Sequence, residues 1–278
     1  MAIDPTQASL VIVGSGIKFL SHLTTEARAY IEQSQKVLYL INEPAMQAWI
    51  QKQNPNHESL DPIYSRYKLR LHCYEAITDH ILATLRQNIH VCVVYYGHPT
   101  VFAQSALNAV LKAREEGYAA KALPGISAED CLFADLLIDP GILGCQSFET
   151  TDFLVHHRRF DPTSNLILWQ VGIIGVLEHA ITLDNRHGAT LLQQRLLTEY
   201  PADHKVILYE AAQYSLFEHK AIEVPLADLP DAPFSRITTL YVPPARYAKY
   251  DPEMIRALNM NFEDLVGRSE KTLREKEA

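Results

Sequence analysis

The sequence predicts an α/β protein in which helices cover a mostly parallel sheet. Short runs of apolar and β-branched residues alternate with longer stretches of helical periodicity along the 278 residues, which is the pattern of repeated strand-helix units. Glycine-containing loops stand where these strands and helices meet. The length suffices for one large domain or for two domains of roughly 130 residues, each with its own hydrophobic core.

The strands predicted in the first half are short apolar runs that end at turn residues. The first begins at Ser9 and stops at Gly14-Ser15-Gly16, and the run HVCVVYY stops at Gly97-His98-Pro99. Runs rich in Val, Ile and Tyr without regular polar alternation indicate strands that are buried on both faces. We predict strands over residues 9–13, 37–41, 90–96 and 119–123.

The helices predicted in the first half have start or stop signals. Thr24 or Thr25 precedes the first helix as an N-cap, Pro44 opens the second, and Gly117 follows a later one as a C-cap. The longest helix carries apolar residues at intervals of three and four. We predict helices over residues 25–35, 44–53, 63–86, 101–116 and 128–137.

The second half is predicted to hold another α/β domain. Strands are expected over residues 152–155, 165–170, 205–210 and 236–242, with helices between them. The end of the chain is helix-prone and carries the charged run RSEKTLREKEA, which predicts a solvated or frayed terminus. The predicted domains are an N-terminal α/β domain over 1–124, a C-terminal α/β domain over 125–250 and a tail over 251–278.

Composition and charge argue against several classes of protein. Lys and Arg number 25 against 33 Asp and Glu, and the net charge of −8 repels nucleic acid and anionic lipid. The apolar run over 166–177 is about six residues too short to span a bilayer, and the N-terminus lacks a signal-peptide pattern. The four cysteines show no metal-site spacing, so reduced, buried thiols are expected. We predict a cytoplasmic protein with no metal site, nucleic-acid partner or membrane association.

Three loops are candidates for ligand binding because they follow predicted strands. They are Gly14-Ser15-Gly16, Gly97-His98-Pro99 and Pro124-Gly125-Ile126-Ser127. Ligands of parallel sheets bind beyond the carboxyl ends of the strands, where glycine allows a close approach to the backbone. Each loop alone is also compatible with a simple tight turn. The first loop lacks the third glycine of the dinucleotide fingerprint, so a nicotinamide site is not favoured.

Together these loops and their flanks resemble a known family. The segments YYGHPTVF, LPGISAEDCLFADLLIDP, LILWQVG, VILYEAA and RITTLYVPPA are similar to those of the borosin α-N-methyltransferases, a branch of the tetrapyrrole methylases. The resemblance runs over about 9–245, and His98 stands where tetrapyrrole methylases usually carry an acidic residue. It implies two α/β domains of the tetrapyrrole methylase type, with S-adenosylmethionine in the cleft between them, and methylation of backbone amides in a ribosomally made peptide.

The resemblance also implies which residues contact S-adenosylmethionine and its product S-adenosylhomocysteine. They are Tyr96, His98, Val101, Phe102, Ser127, Ala128, Gln170, Ala211, Thr238 and Thr239. For Val101 and Phe102 the alternative is packing in a hydrophobic core.

Amide methylation explains a group of tyrosines near an arginine. The amide nitrogen is a poor nucleophile because its lone pair is delocalised into the carbonyl, so its proton must be removed or the imidate form stabilised. A cation near a tyrosine favours the phenolate that could remove it. Arg70 and Tyr74 are spaced to share one helix face, and they match the family's catalytic pair, with Tyr96 as a third member. Tyr64 is the best match for the base, and Tyr67 is the alternative.

The resemblance further predicts the partners. The fungal borosin enzymes carry their substrate as a C-terminal extension, whereas this chain ends in RSEKTLREKEA. We therefore expect the split, bacterial-type arrangement with a separate precursor peptide, and a homodimer in a 2:2 complex with that precursor. The alternatives are a methyltransferase acting on a tetrapyrrole or corrin precursor and a non-catalytic peptide-binding scaffold.

Overall fold

The computed structural model describes residues 8–87, 89–178 and 185–261. These residues form two compact units. Unit 1 contains residues 8–135, 176–178 and 211–219, and unit 2 contains residues 136–175, 185–210 and 220–261. The division predicted from the sequence has boundaries after residues 124 and 250, and it stays a prediction. Neither compact unit is continuous in sequence. Residues 176–178 and 211–219 follow parts of unit 2 in the chain but belong to unit 1.

The sheet of unit 1 is parallel throughout its five strands. They are β1 (Ser9–Gly14), β2 (Lys36–Leu40), β3 (His57–Ser59), β4 (His90–Tyr95) and β5 (Ala119–Ala122), in the order β3-β2-β4-β1-β5. Strand β1 is buried at all six positions and pairs with β4 and β5. Strand order and direction bring the carboxyl ends of β1 and β4 side by side.

Helices cover both faces of this sheet. They are α1 (Thr25–Gln33), α2 (Pro44–Gln53), α3 (Asp61–Tyr64), α4 (Arg70–Leu85), α5 (Gln104–Glu115) and α6 (Ala128–Asp135). Leu10 and Ile12 of β1 pack with the apolar faces of α4 and α5, whereas Val11 and Val13 pack with those of α1 and α2. Successive strand residues point to opposite faces, so one apolar run contributes to two hydrophobic clusters.

Unit 2 contains a mixed sheet. Its strands are β6 (Cys145–Glu149), β7 (Asn165–Trp169), β8 (Lys205–Glu210), β9 (Lys220–Pro225) and β10 (Thr239–Val242), in the order β6-β7-β10-β8-β9. The β6–β7 pair is parallel and the other pairs are antiparallel. The remaining helices are α7 (Pro140–Leu143), α8 (Thr150–Val155), α9 (Arg186–Leu196) and α10 (Pro252–Ala257). The α/β class is therefore confirmed, although the expectation of a mostly parallel sheet holds only for unit 1.

The predicted helix over 63–86 is wrong in its first part. Helix α3 ends at Tyr64, and Leu69 has an extended backbone before α4 begins. Leu69 forms a β-bridge with Glu178, and the Arg70 N–H donates to the Leu177 carbonyl at 3.1 Å. This strand-like pairing with a distant segment interrupts the helix, and local periodicity cannot reveal it.

The predicted strand over 152–155 is also wrong, because those residues belong to α8. The Glu149 carboxylate accepts a hydrogen bond from the Asp152 N–H at 2.7 Å, which caps that helix. The sequence pattern does not predict β3, β6 and β9, in which no residue is fully buried. Cys73, Cys92 and Cys131 are buried as expected, whereas Cys145 is only half-buried. Among the described residues, no helix combines the length and apolarity that crossing a bilayer requires.

Candidate functional site

The three candidate loops meet in unit 1. The N–H groups of Gly16 and Gly97 each donate to the other residue's carbonyl, at 3.2 and 3.1 Å. A Cβ atom on Gly14 would lie 2.1 Å from the Gly97 carbonyl oxygen, and one on Gly125 would lie 3.1 Å from that oxygen. Glycine is required at Gly14 because a side chain there would overlap backbone. The structure thus places the three loops together beyond the strand ends, as the sequence predicts.

The loop after β4 carries exposed apolar side chains on a strained backbone. Val101 is 38% exposed and Phe102 is 49% exposed, so the alternative that they are core residues is wrong. Phe102 has a φ of 54°, which is rare for a residue with a branched or bulky side chain. Thr100 donates its backbone N–H to the His98 Nδ1 at 3.2 Å, which holds the imidazole. Strained residues gather at binding sites, so this loop fits a ligand-binding role.

Ser127 caps the helix that follows the third loop. Its N–H and its hydroxyl both donate to Asp130 Oδ2, each at 2.7 Å, and the Asp130 N–H donates back to the hydroxyl at 3.2 Å. Helix α6 then begins at Ala128. This reciprocal cap fixes the backbone of the Ser127–Ala128 pair beside Gly125.

The predicted cofactor residues of unit 2 lie at two strand ends. Gln170 follows β7 in the left-handed conformation, with a φ of 60°. Thr238 and Thr239 are buried at the start of β10. The Thr238 hydroxyl donates to Glu210 Oε1 at 2.6 Å. Burial raises the pKa of the Glu210 carboxyl, but hydrogen bonds from Thr238, Ser235 and Lys220 outweigh it and leave that pKa below its ordinary value.

Three of the four predicted catalytic residues form one cluster, the Tyr64 group, which consists of Tyr64, Arg70 and Tyr74. The rings of Tyr64 and Tyr74 are 6.3 Å apart, and their hydroxyls are hydrogen-bonded. Arg70 is close enough to Tyr64 to favour its ionised form. Its guanidinium donates to the Val176 carbonyl. The predicted sharing of one face by Arg70 and Tyr74 is consistent with their positions in the first turns of α4.

The acidity of Tyr64 differs from the expectation. Burial and the hydrogen-bonded Tyr74 raise the pKa of Tyr64 to about 12, and the opposing charge of Arg70 offsets only part of this rise. The expectation that the nearby cation leaves a tyrosine with a lowered pKa is therefore wrong. Tyr64 is protonated in the protein at neutral pH, and it becomes a strong base once it loses that proton.

Tyr96 has a different set of partners, which we call the Tyr96 group: Tyr96, Gln213, Tyr214 and Glu43. The Tyr96 hydroxyl is hydrogen-bonded to the Gln213 side chain, and the Tyr214 hydroxyl donates to Glu43 Oε1 at 2.5 Å. Gln213, Tyr214 and Glu43 are not predicted as site residues from the sequence. The signal available was the position of Gln213 and Tyr214 just after the strand end in VILYEAA.

The chain matches the family model of tetrapyrrole (corrin/porphyrin) methylases over residues 9–230, and it belongs to that family. The fold agrees. The uroporphyrin-III-C-methyltransferase of Thermus thermophilus superposes with a TM-score of 0.62 at 20% identity, over 86% of this chain and 93% of that one. A diphthine synthase superposes with a TM-score of 0.60 at 12% identity, over 86% of this chain and 91% of that one.

The borosin branch supplies relatives of higher identity. A methyltransferase/type I borosin cyclic peptide precursor from Coprinopsis marcescibilis is 40% identical over 92% of this chain and 68% of its own length. The methyltransferase/gymnopeptides precursor of Gymnopus fusipes is 38% identical over 93% of this chain and 62% of its own length. The methyltransferase/omphalotin A precursor of Omphalotus olearius is 36% identical over 91% of this chain and 61% of its own length. The chain thus spans about 60% of the length of these last two relatives. The resemblance recognised in the sequence is confirmed.

Proposed function

We propose that this protein is an S-adenosylmethionine-dependent methyltransferase that N-methylates backbone amides of a ribosomally synthesised precursor peptide. The names of the relatives from three fungi support a methyltransferase joined to a peptide precursor. The observation that carries the proposal is the Tyr64 group, in which two hydrogen-bonded tyrosines lie beside an arginine. Such a group combines a proton acceptor with donors for a developing oxyanion, which is what amide methylation needs.

The residues around the three glycine loops fit the cofactor. Glycine at Gly14, Gly97 and Gly125 exposes backbone donors and acceptors, and exposed Val101 and Phe102 offer apolar surface for an adenine-containing ligand. The predicted cofactor contacts of unit 1 are Tyr96, His98, Val101, Phe102, Ser127, Ala128 and Ala211. Those of unit 2 are Gln170, Thr238 and Thr239. When bound, S-adenosylmethionine supplies a methyl group on a positively charged sulfur.

In the proposed mechanism the Tyr64 group prepares the amide. Arg70 and Tyr74 donate hydrogen bonds to the peptide carbonyl oxygen, which gains negative charge as the nitrogen loses its proton. Tyr64 first transfers its own proton to solvent water, and its phenolate oxygen then accepts the amide proton. The hydrogen bond between Tyr64 and Tyr74 supports Tyr64 over Tyr67 as the base, because it joins the base to the carbonyl donor. For Tyr67, by comparison, the structure shows a backbone contact: its carbonyl oxygen accepts a hydrogen bond from the Cys73 thiol, with 3.4 Å between O and Sγ.

The proposal is tested with a chimera, in which the part of the Omphalotus olearius precursor outside the region of similarity is joined to the C-terminus of this chain. Tandem mass spectrometry after incubation with S-adenosylmethionine should place added methyl groups on backbone nitrogens. The same peptide added separately tests whether a precursor can act in trans. The split arrangement, the homodimer and the 2:2 complex stay predictions. An unmodified peptide, together with methylation of uroporphyrinogen III, would favour the tetrapyrrole alternative.

A further inference from the structure

The connection between α3 and α4 separates the members of the Tyr64 group. Helix α3 ends at Tyr64, and α4 begins at Arg70. The connection over residues 65–69 consists of turns, a bend and a single β-bridge residue instead of a helix. Ordering such a segment costs conformational entropy, so other contacts must hold it in one conformation. The position of Tyr64 relative to Arg70 and Tyr74 depends on those contacts.

The thiol of Cys73 lies among three carbonyl groups of this part of the chain. Cys73 is in the first turn of α4 and is fully buried. Its Sγ atom lies 3.1 Å from the carbonyl oxygen of Tyr64, 3.4 Å from that of Tyr67 and 3.3 Å from that of Leu69. These carbonyls belong to the end of α3, the middle of the connection and the residue before α4. One side chain therefore contacts the backbone at all three places.

The Cys73 thiol acts as a hydrogen-bond donor in this arrangement. Burial raises the pKa of the thiol, and backbone hydrogen bonds offset only part of that rise, so Sγ keeps its proton at neutral pH. A thiol has one proton and gives it to one acceptor at a time, and the Tyr64 carbonyl oxygen is the nearest of the three. The last four carbonyls of a helix lack a partner within that helix. The thiol thus supplies a donor to the end of α3.

We infer that Cys73 is a positioning residue, whose thiol fixes the backbone of Tyr64 relative to Arg70 and Tyr74 and so sets the geometry of the Tyr64 group. This inference rests on the proposed function, because it takes the Tyr64 group to act on the peptide amide. The effect of Cys73 on the reaction passes through the backbone of Tyr64 and not through contact with the peptide. Misplacing a reacting group by about 1 Å can cost about 100-fold in rate, so a small shift of this connection matters.

The test compares Cys73→Ala with Cys73→Ser in the chimera. Alanine removes the donor, whereas serine keeps a hydroxyl donor in the same place. With saturating S-adenosylmethionine, Cys73→Ala should slow single-turnover methylation about 10- to 100-fold. Cys73→Ser should stay within about threefold of the wild-type rate, because the donor is retained. The dissociation constant for S-adenosylmethionine, measured by calorimetry, should change by less than about twofold in both variants.

Cys92→Ala is the matched control for the loss of a buried thiol. Cys92 is fully buried in β4 and packs in the same hydrophobic cluster as Val94. Cys92→Ala should lower the melting temperature about as much as Cys73→Ala does, and it should leave the methylation rate unchanged.

Hydrogen exchange followed by mass spectrometry in the full-length chain gives a readout that does not depend on methylation. Exchange over residues 64–72 should be faster in Cys73→Ala than in wild type, because the connection loses a contact that holds it. It should return toward the wild-type rate in Cys73→Ser and stay unchanged in Cys92→Ala.

Three outcomes would overturn the role of Cys73: wild-type methylation and exchange in Cys73→Ala, equal losses of rate in Cys73→Ala and Cys73→Ser, or an equal loss of rate in Cys92→Ala. A wild-type chimera that is not methylated would instead overturn the proposed function. In that case the exchange over residues 64–72 still decides whether the thiol holds this connection.

Discussion

Two half-buried tyrosines of unit 1, Tyr64 and Tyr96, differ in what surrounds their hydroxyls. Burial raises the pKa of both Tyr64 and Tyr96. The Tyr64 hydroxyl is hydrogen-bonded to Tyr74 and lies near the charge of Arg70. The Tyr96 hydroxyl is hydrogen-bonded to the neutral side-chain amide of Gln213. A nearby cation stabilises negative charge that appears during a reaction. In the proposed mechanism, this difference favours the Tyr64 group for removal of the amide proton.

The largest expected effect is on Tyr64. Tyr64→Phe removes the proposed base and should slow single-turnover methylation by about 100- to 10,000-fold, the usual contribution of a general base. Cofactor affinity should stay within about twofold, because Tyr64 belongs to the group that acts on the amide. Tyr67→Phe is the matched control and should retain most of the activity. The opposite ranking of these two variants would transfer the role of base to Tyr67.

The next largest loss of activity is expected for Arg70 and Tyr74, the proposed hydrogen-bond donors to the carbonyl oxygen of the substrate peptide. Arg70→Ala and Tyr74→Phe should each slow methylation by about 100- to 1000-fold, or roughly 3–4 kcal/mol, with little change in cofactor affinity. Lys68→Ala is the control, because Lys68 is a nearby cation in an exposed ion pair with Glu178 at 2.9 Å, and such pairs contribute little. Near-native rates in both donor variants would remove the Tyr64 group from the mechanism.

A smaller effect is expected at the glycine loops, which adjoin the Tyr96 group. Gly14→Ala places a Cβ atom 2.1 Å from the Gly97 carbonyl oxygen. The resulting shift should cost about 1–3 kcal/mol of unfolding free energy, measured in urea, and should weaken cofactor binding more than it slows the bound chemistry. Gly117→Asn is the control for backbone strain without overlap, because no atom lies within 4 Å of a Cβ there and only its φ of 87° disfavours a side chain. Unchanged stability in Gly14→Ala would contradict the close approach of these loops.

The smallest effect concerns the anchor between Tyr214 and Glu43. Burial raises the pKa of the Glu43 carboxyl, but hydrogen bonds from Tyr214 and from the N–H groups of Ala45 and Met46 leave it below its ordinary value. The ionised form therefore contributes stability at neutral pH that is lost as the pH falls toward and below its folded-state pKa. Tyr214→Phe should destabilise the protein at pH 7 and lower the urea midpoint of unfolding. The difference from wild type should shrink in acid, as urea unfolding across that range can show.

The sequence predicts the parallel sheet of unit 1 well and the second sheet less well. Strands such as β1 and β4 are continuous apolar runs, so composition identifies them. Strands β6 and β9 are partly exposed, and their pairing depends on partners distant in the chain. The break before α4 has the same origin, because the Leu69–Glu178 bridge joins residues that no local pattern connects.

For the candidate site, the sequence predicts which residues matter better than it predicts their electrostatics. The spacing of Arg70 and Tyr74 predicts a shared helix face, and the glycines predict the converging loops. The raised pKa of Tyr64 depends on burial, which is a property of the folded protein. The contact between Tyr214 and Glu43 depends on a segment that returns to unit 1 after β8, so no sequence window contains both partners.

The most direct test of the account is the pH dependence of single-turnover methylation in the chimera with saturating S-adenosylmethionine. Because the pKa of Tyr64 is about 12, its phenolate fraction grows about tenfold with each pH unit below that value. The account predicts that the rate constant rises nearly tenfold per unit between about pH 7 and pH 9, and that Tyr64→Phe abolishes the rise. A wild-type rate that is independent of pH over this range, or the same slope in Tyr64→Phe, would contradict the claim that Tyr64 removes the amide proton.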